Sequence, residues 1–393
     1  MISIEEARKR VTEGLVTLGS ERMSVHEAVG RALSTSITAR RALPDFDNSA
    51  MDGFAVCAKH VGTQALRVVV QVPAGVVVDR RIGPGEAARI FTGAPMPPGA
   101  DAVVMQENAR LDGDQVWIEV APKMSENVRF AGEDLSVGEK LAAAGADVTP
   151  GLVAVLAAQG IDAVDVVRKP RVAIVPNGDE LVPVGVDPKP GQIPNSNASM
   201  LAAQVLNAGG LPWVFPPIPD DEPTIAAALR EAGRGADLVL TTGGMSVGDF
   251  DYTRRALEVD AELGFYKVRM KPGKPLGLGR LGGTPVLGLP GNPVSAFVGF
   301  EVFGRPMLRT IGGFSQVDHP RSTAVLAKAV RPNRSRPELI RCDVIDGALH
   351  PWPKQGSAMM SSLLHAQALA IIPAGTQTLD PGSEIQTIWL QNR

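Results

Sequence analysis

Between residues 170 and 312, short apolar runs alternate with longer stretches whose apolar residues recur at helical spacing. The runs predict strands, and the longer stretches predict helices. The predicted strands are 171–175, 237–240, 267–270, 276–278 and 286–289, and the predicted helices are 197–207, 224–232 and one that begins at Asn292 and Pro293. Ser196 or Asn197 is the expected N-cap of the helix at 197–207. The alternation indicates a doubly wound, mostly parallel α/β domain over residues 169–315.

The regions on either side have a different pattern. Apolar runs at 66–72, 101–105 and 115–120, separated by Pro/Gly turns, predict a small β-rich domain over residues 45–122. Runs at 323–327, 368–372 and 385–390 predict a second small β-domain over residues 316–393. Residues 1–44, with helices expected from Ser3 and from Ser24, join residues 123–168, with a helix expected at 149–159. Together they are predicted to form a helical and extended linking domain, so the chain is an α/β multidomain protein.

Composition narrows the classes of protein. With 393 residues, 44% hydrophobic and 21% charged, the chain is predicted to be soluble and to contain several domains. No apolar run approaches the roughly 18 residues of a membrane span, and a net charge of -3 gives no general attraction to nucleic acid. Cys57 and Cys342 are too far apart in sequence to indicate a disulfide framework or a zinc site. A reducing cytoplasm is the expected compartment.

Polar, glycine-rich turns follow three of the predicted strands. They are 176–180 (Pro-Asn-Gly-Asp-Glu), 241–251 (Thr-Thr-Gly-Gly-Met-Ser-Val-Gly-Asp-Phe-Asp) and 290–295 (Pro-Gly-Asn-Pro-Val-Ser). Ligands of open α/β sheets bind outside the carboxyl ends of the strands, and glycine turns and helix starts offer amides to anions. Asp249 and Asp251 suit a magnesium ion, which prefers one or two carboxylates with water and phosphate oxygens. These turns therefore favour a phosphate-type ligand over simple chain reversal.

The second turn also allows another interpretation. Residues 244–248 formally match the nucleophile elbow of hydrolases, with Ser246 as the nucleophile. Such a serine needs a later histidine, and His319, His350 and His365 all fall in the predicted C-terminal β-domain. A serine hydrolase is accordingly disfavoured.

Basic residues strengthen the anion hypothesis. Lys267, Arg269 and Lys271 share one face if the segment 265–271 is extended as a strand, and Lys274 follows closely. The alternative is an edge strand protected by lysines. A further acidic segment at 44–53 is by default a turn or cap, although Phe46 and Met51 among its acids make a substrate contact a rival explanation. The segments 90–99 and 129–134 are similarly loops or edges of a site.

Taken together, segments from most of the chain resemble one family, molybdopterin molybdenumtransferase (the MoeA and gephyrin E-domain family). The matching segments run in family order and are 46–53 (Phe-Asp-Asn-Ser-Ala-Met-Asp-Gly), 92–95, 99–104, 132–134, 178–181, 195–197, 241–251, 271–275 and 288–295. Single segments would be weak evidence, but the ordered combination is specific.

The resemblance implies a step in molybdenum cofactor biosynthesis. Molybdenum from molybdate is inserted into adenylylated molybdopterin, with Mg²⁺-assisted cleavage of the adenylyl group and release of AMP. The resemblance also implies a molybdopterin-binding type of α/β domain and an elongated homodimer. The active cleft would lie between the α/β domain of one subunit and the β-rich domain of the other. Hand-over partners in cofactor synthesis are expected as well.

The resemblance also implies site residues. The metal ligands would be Asp249 and Asp251. The catalytic residues would be Asp52, Asp134, Glu180, Asp221, Asp251, Lys267 and Lys271. The substrate-binding residues would be Thr92, Gly178, Ser196, Thr242, Gly243, Gly244, Ser246, Lys274, Pro290, Gly291 and Asn292.

The chain departs from the family pattern at Asn177, where Thr or Ser is usual, and at Phe54, where Tyr is more usual. Asn177 keeps a hydrogen-bonding side chain, but a hydroxyl contact is lost. Two alternative functions follow from the same resemblance. One is a molybdopterin adenylyltransferase, which catalyses the preceding step with a similar α/β domain. The other is a non-enzymatic, gephyrin-like scaffold. A regulatory or damage-inducible protein that uses the same α/β module on other nucleotides is disfavoured by the acidic segment at 45–53.

Overall fold

The computed structural model describes residues 1–243 and 262–390. The chain divides into two compact units. The first comprises Met1–Thr35, Ala144–Val153 and Asp162–Arg393, and the second comprises Ser36–Ala143 and Ala154–Ile161. The finer division into four domains stays a prediction.

The α-helices of the described residues, numbered in chain order, are α1 (Ile4–Thr12), α2 (Pro150–Ala158), α3 (Ser196–Asn207), α4 (Glu222–Gly235), α5 (Pro293–Gly299) and α6 (Arg305–Ile311). Helix α1 begins as expected, because Ser3 Oγ accepts a hydrogen bond from Glu6 N at 3.0 Å. The helices expected at 149–159, 197–207 and 224–232 are confirmed as α2, α3 and α4.

The helix expected from Ser24 is wrong. Ser24 ends strand β1 (Ser20–Ser24), which pairs antiparallel with β12 (Ala163–Val167). Glu27 N donates to Ser24 Oγ at 3.4 Å, which is the first half of a capping box, but only turns follow. Pairing with β12 determines this segment, so the local cap signal does not start a helix.

A six-stranded mixed sheet forms the centre of the first unit. Its strands, in spatial order, are β16 (Leu211–Val214), β13 (Arg171–Pro176), β17 (Leu238–Thr242), β20 (Thr284–Leu289), β19 (Gly277–Leu281) and β18 (Glu262–Tyr266). The first four run parallel, while β19 and β18 add an antiparallel edge. The predicted mostly parallel α/β sheet is confirmed.

Both faces of this sheet are covered by helices. In β13, Val172 and Ile174 pack into one core with α3, α5 and α6, while Ala173 and Val175 pack into a second core with α4. Alternate strand residues point to opposite faces, so a strand buried on both sides shows a continuous apolar run. This explains why residues 171–175 carry no polar alternation.

The strand expected at 267–270 is wrong. Strand β18 ends at Tyr266, and Lys267 adopts a left-handed backbone with φ of 82°. The alternation of exposure persists beyond the strand, because Val268 and Met270 are fully buried between the lysines. The pattern of burial was therefore recognisable in the sequence, but the backbone conformation was not.

The C-terminal part of the first unit is a five-stranded sheet in the order β21 (Arg321–Val325), β25 (Glu384–Trp389), β24 (Ala368–Ile372), β22 (Glu338–Ile345) and β23 (Ala348–Pro351). A bridge between Leu326 and Leu349 links its two edges, so the sheet curls toward a barrel. Leu339, Leu369 and Ile388 pack into the core that also contains β13 and α3. The predicted C-terminal β-fold is confirmed.

The second unit is β-rich, as predicted. Its six-stranded sheet has the order β7 (Ala102–Met105), β4 (Gly53–Val56), β6 (Glu86–Ile90), β5 (Leu66–Val72), β9 (Gln115–Ile118) and β8 (Ala109–Asp112). Two short ribbons accompany it, β2 (Ile37–Thr38) with β11 (Lys140–Ala142) and β3 (Asn48–Ser49) with β10 (Val128–Arg129).

Among the helices of the described residues, in both units, none combines the length and the apolar character that a membrane crossing requires.

Candidate functional site

The first residues of the three predicted turns lie at one edge of the central sheet, because β13, β17 and β20 are parallel and end side by side. Asn177 N donates to Thr242 O at 3.0 Å and so joins the first turn to the second. A pocket of about 530 Å³ opens at this edge. Its described lining is Asn177, Glu180, Leu181, Ile193, Pro194, Asn195, Ser196, Asn197, Thr242, Gly243, Gly291, Asn292, Pro293 and Ala358.

Glycine is required at two points of this lining region. Gly243 has φ of 99°, and a Cβ there would lie closer than 3.0 Å to the carbonyl oxygen of Asn177. Gly178 has φ of 148°, and a Cβ there would lie 2.6 Å from Glu180 Oε2. At Gly243 the left-handed backbone and the approach of the first turn both exclude a side chain, so the two turns can pack in this way only with glycine at position 243. The predicted substrate-binding residues Gly178 and Gly243 are thus brought together.

The start of α3 connects to the third turn. Asn195 is its N-cap and accepts from Ala198 N at 3.2 Å, so the expectation of Ser196 or Asn197 as the cap is wrong. Asn197, the second residue of the helix, instead donates from Nδ2 to Gly291 O at 2.7 Å. Ser196 and Asn197 are left on the pocket wall. A helix cap therefore places two polar side chains in the site.

The predicted acidic residues Glu180 and Asp221 have different positions, because only Glu180 lines the pocket. The exposed Glu180 lines the pocket. Asp221 is the N-cap of α4 and accepts from both the amide and the hydroxyl of Thr224. Those hydrogen bonds, the hydroxyl bond foremost, lower the pKa of Asp221. In the structure Asp221 is a cap rather than a lining residue.

The side chain of Asn177 contacts Asp220, the residue before the helix cap Asp221. Its Nδ2 donates to Asp220 Oδ1 at 3.1 Å, and Asp220 N donates to Asp179 Oδ1 at 3.0 Å. The amide therefore retains a polar link where the family usually has a hydroxyl. The sequence did not single out Asp220 or Asp179, because it does not show which of the adjacent aspartates at 220 and 221 caps the helix.

The predicted lysines lie on the loop between β18 and β19. Lys271 Nζ pairs with Glu338 Oε1 at 2.8 Å, and Glu338 is buried. Lys274 is exposed, and a Cβ on Gly273 would lie 3.7 Å from Ser295 O in α5. The loop thus abuts the helix whose first residue, Pro293, lines the pocket. Lys267, Lys271 and Lys274 are not themselves among the described lining residues.

The C-terminal sheet contributes a wall that sequence reasoning missed. Val294 N donates to Ser357 O at 3.1 Å, and Ala358 lines the pocket. This segment is held by Arg341, whose side chain is fully buried. Arg341 donates to Ser362 Oγ at 3.1 Å and to Gly356 O at 3.3 Å. No periodicity in the sequence links residue 341 to residue 358, so this contact had no signal.

Four predicted residues, Gly244, Ser246, Asp249 and Asp251, lie outside the described residues. Within 1–243 and 262–390, no group of three or more His, Cys, Asp or Glu side chains could hold a metal ion. The predicted metal ligands and the nucleophile-elbow interpretation of Ser246 therefore stay predictions.

The second unit brings together Asp52 and Thr92. Asp52 Oδ1 accepts hydrogen bonds from Thr92 N and Thr92 Oγ1, both at 2.8 Å. The amide bond, the hydroxyl bond and the charge of Arg89 lower the pKa of this exposed carboxyl. Asp52 is therefore ionised into the acidic range, and its side chain is exposed.

The acidic segment 44–53 lies against two other predicted loops. Its Ser49 N donates to Ala94 O at 3.0 Å, and its Asp47 Oδ1 accepts from Ala131 N at 2.8 Å. Asp134 is exposed, and its backbone amide donates to Leu43 O at 3.0 Å. Three loops that are distant in sequence therefore form one edge of the second unit.

Three family models match consecutive parts of the chain. They are described as "MoeA N-terminal region (domain I and II)" over residues 2–160, "Probable molybdopterin binding domain" over residues 173–310 and "MoeA C-terminal region (domain IV)" over residues 323–390. The solved structure of the molybdopterin biosynthesis moeA protein from Pyrococcus horikoshii OT3 is similar, with a TM-score of 0.88 and 30% identity. That similarity covers 99% of this chain and 100% of the other.

Curated relatives match along nearly the full length. A molybdopterin molybdenumtransferase from Nostoc sp. is 36% identical over 391 residues, covering 94% of this chain and 89% of the relative. One from Bacillus subtilis is 35% identical over 408 residues, covering 99% and 94%. Identity at this level over nearly the full length, together with the three family models, shows that the chain belongs to the molybdopterin molybdenumtransferase family.

Proposed function

We propose that this protein inserts molybdenum from molybdate into adenylylated molybdopterin, with cleavage of the adenylyl group and release of AMP. The observation that carries the proposal is the pocket at the carboxyl edge of β13, β17 and β20, where three glycine turns converge in a member of this family. Parallel α/β sheets bind phosphate-bearing ligands at this edge.

The chain's own residues provide binding and positioning. Gly243 and Gly291 bring backbone close to the ligand without intervening side chains, which suits a pyrophosphate. Lys274, on the loop that abuts α5, supplies positive charge that stabilises phosphate oxygens as the adenylate departs. Asn197 keeps the third turn in place through Gly291 O.

Magnesium fits the donors of the pocket. Glu180 is the carboxylate among the described lining residues, and magnesium commonly takes one or two carboxylates with phosphate and water oxygens. Asp249 and Asp251, the ligands predicted from the sequence, lie outside the described residues. When bound, the ion supplies charge stabilisation at the scissile pyrophosphate. Glu180 would hold it on the described side of the site.

The exposed carboxylates of Asp52 and Asp134 are assigned to the same reaction, supplied by the second subunit of a homodimer. The low pKa of Asp52 supports a role as an anionic hydrogen-bond acceptor rather than as a proton donor. Both cysteines are free, which supports the reducing cytoplasm as the compartment. A hand-over partner would receive the finished cofactor.

The decisive experiment follows AMP release from adenylylated molybdopterin by the full chain with Mg²⁺, in the presence and absence of molybdate. We expect release only with molybdate, and a reduced rate in Glu180→Gln. Glu231→Gln, which alters an exposed carboxylate on α4 away from the lining residues, is the matched control and should retain the full rate.

Two results would contradict this proposal. The first is the absence of AMP release by the wild-type protein under these conditions. The second is efficient adenylylation of molybdopterin when the protein is given ATP, since that would make the chain an adenylyltransferase instead.

A further inference from the structure

The pocket has two chemically different sides. On one side, Thr242 ends β17, and Gly243 and Asn292 belong to the polar turns that follow β17 and β20. Leu181 and Ile193 line the pocket as well, and both are aliphatic. Phosphate oxygens lose solvation against an aliphatic surface, so they belong on the polar side. The aliphatic side must therefore serve a different part of any ligand.

Leu181 and Ile193 form one surface, which we call the aliphatic platform. They are paired across a ribbon of two parallel strands, β14 (Leu181–Val182) and β15 (Ile193–Pro194). Ile193 N donates to Glu180 O at 2.8 Å, and Asn195 N donates to Val182 O at 2.9 Å, which fixes the register. Residues paired across neighbouring strands point to the same face of the ribbon.

Packing of the protein core does not account for this platform. Val182, which follows Leu181 and points to the other face, is 8% exposed, whereas Ile193 is 52% exposed. The ribbon is thus anchored by Val182, and the platform presents apolar surface toward the pocket. Covering that surface with a ligand would remove it from water, which is favourable in proportion to the area buried.

We propose that the aliphatic platform is the subsite for a planar bicyclic heteroaromatic ring of the substrate, purine or pterin. The inference rests on the proposed function, which supplies a substrate with such a ring at each end of a pyrophosphate. A planar ring gains by lying on aliphatic side chains, and the pocket of about 530 Å³ is of the size typical of small-molecule sites. Leu181 and Ile193 are then specificity-determining residues.

The test measures binding of three separate compounds to the full chain: adenosine, 6-hydroxymethylpterin and inorganic pyrophosphate. In Ile193→Ser we expect at least one ring compound to bind about five- to tenfold more weakly, and pyrophosphate to bind as to wild type. The ring compound that loses affinity identifies which end of the substrate lies on the platform. Val186→Ser is the matched control, because Val186 is 50% exposed on the same loop and is not a described lining residue.

The proposal is overturned if neither ring compound binds the wild-type protein, if both bind Ile193→Ser as tightly as wild type, or if pyrophosphate loses as much affinity as the rings. Turnover gives an independent readout, since loss of a uniform binding contact raises KM and leaves kcat unchanged. The two proposals can fail separately. If the wild-type protein releases no AMP while Ile193→Ser binds a ring compound more weakly than wild type, only the proposed function is contradicted.

Discussion

Asn177 and Gly243 hold two turns of the pocket in contact, with the carbonyl oxygen of one occupying the space where the other would carry a Cβ. We expect Gly243→Ala to be destabilised by about 1–3 kcal/mol. Alanine disfavours the left-handed φ at this position, and its Cβ would clash with the carbonyl oxygen of Asn177. The pocket edge must also shift, so AMP release should fall sharply. Thermal unfolding and the AMP assay measure the two effects.

Gly283→Ala separates backbone strain from contact. Gly283 has φ of 96°, close to the 99° of Gly243, but nothing lies within 4 Å of its would-be Cβ. We expect it to lose some stability and keep its activity. Equal losses of activity in both variants would show that the Asn177 contact is not what shapes the pocket.

The hydrogen bonds from Thr92 to Asp52 predict a pH effect. Thr92→Val removes the hydroxyl donor but leaves the amide, so the pKa of Asp52 should rise part of the way toward its ordinary value. The carboxylate stabilises the folded state above its unfolded pKa of about 4, and that contribution is lost as pH falls through its lower folded pKa. The stability difference between wild type and Thr92→Val should therefore disappear in strong acid.

Carboxyl titration by NMR checks this shift directly, with Thr92→Ser as the control that restores the donor. Thr92→Val should also slow AMP release about tenfold if Asp52 acts in the reaction. An unchanged pKa in Thr92→Val would mean that the hydroxyl bond does not form in solution.

Much of the fold was predictable from local pattern. Residues 172–175 and 286–289 are buried on both faces of the central sheet, so they carry no charged or polar side chain and can be recognised as strands. Ser24 and Lys267 show where local pattern fails. A cap signal at Ser24 was overridden by pairing with β12, and a left-handed residue at 267 ended a strand whose burial pattern continued.

The part of the site that directly follows the parallel strands was predictable from the sequence. The turns at Asn177, Thr242 and Gly291 each follow a strand, so parallel pairing alone brings them to one edge. The wall at Ala358 depends on how the C-terminal sheet packs, and a buried arginine 17 residues earlier holds it. Such long-range polar contacts leave no periodic trace in a single sequence.

Cys342 should be inert in the folded protein. Its side chain is fully buried, and burial raises the pKa of the thiol to about 12, so almost no thiolate exists near neutral pH. We expect iodoacetamide to label the half-buried Cys57 in the native protein and both cysteines after unfolding. In Cys57→Ser the native protein should resist labelling. Rapid labelling of that variant would show that the C-terminal five-stranded sheet, which contains Cys342, opens readily.

Lys274 tests the electrostatic part of the proposed function. Among the described residues it is exposed and makes no ion pair, so Lys274→Ala should leave stability unchanged. A charge-assisted hydrogen bond to the substrate is worth about 1.5–3 kcal/mol, which predicts a 10- to 100-fold slower AMP release. Lys328→Ala removes another exposed lysine, from the C-terminal part of the chain, and serves as the control. Equal rates in the two variants would remove Lys274 from the site.

Arg341 links the stability of the C-terminal sheet to the shape of the pocket. Burial lowers the pKa of its guanidinium to about 10, so it remains charged at neutral pH while donating to Ser362 Oγ, Lys354 O and Gly356 O. Arg341→Ala leaves these acceptors unpaired and opens a cavity, which should cost about 2–4 kcal/mol of unfolding free energy. Arg341→Lys keeps the charge but cannot reach several acceptors in a fork, so it should recover only part of the stability. Because the same segment carries Ala358 on the pocket wall, KM for the adenylylated substrate should rise in both variants. If chemical denaturation shows the stability loss while KM stays at the wild-type value, Arg341 supports the barrel without positioning the wall.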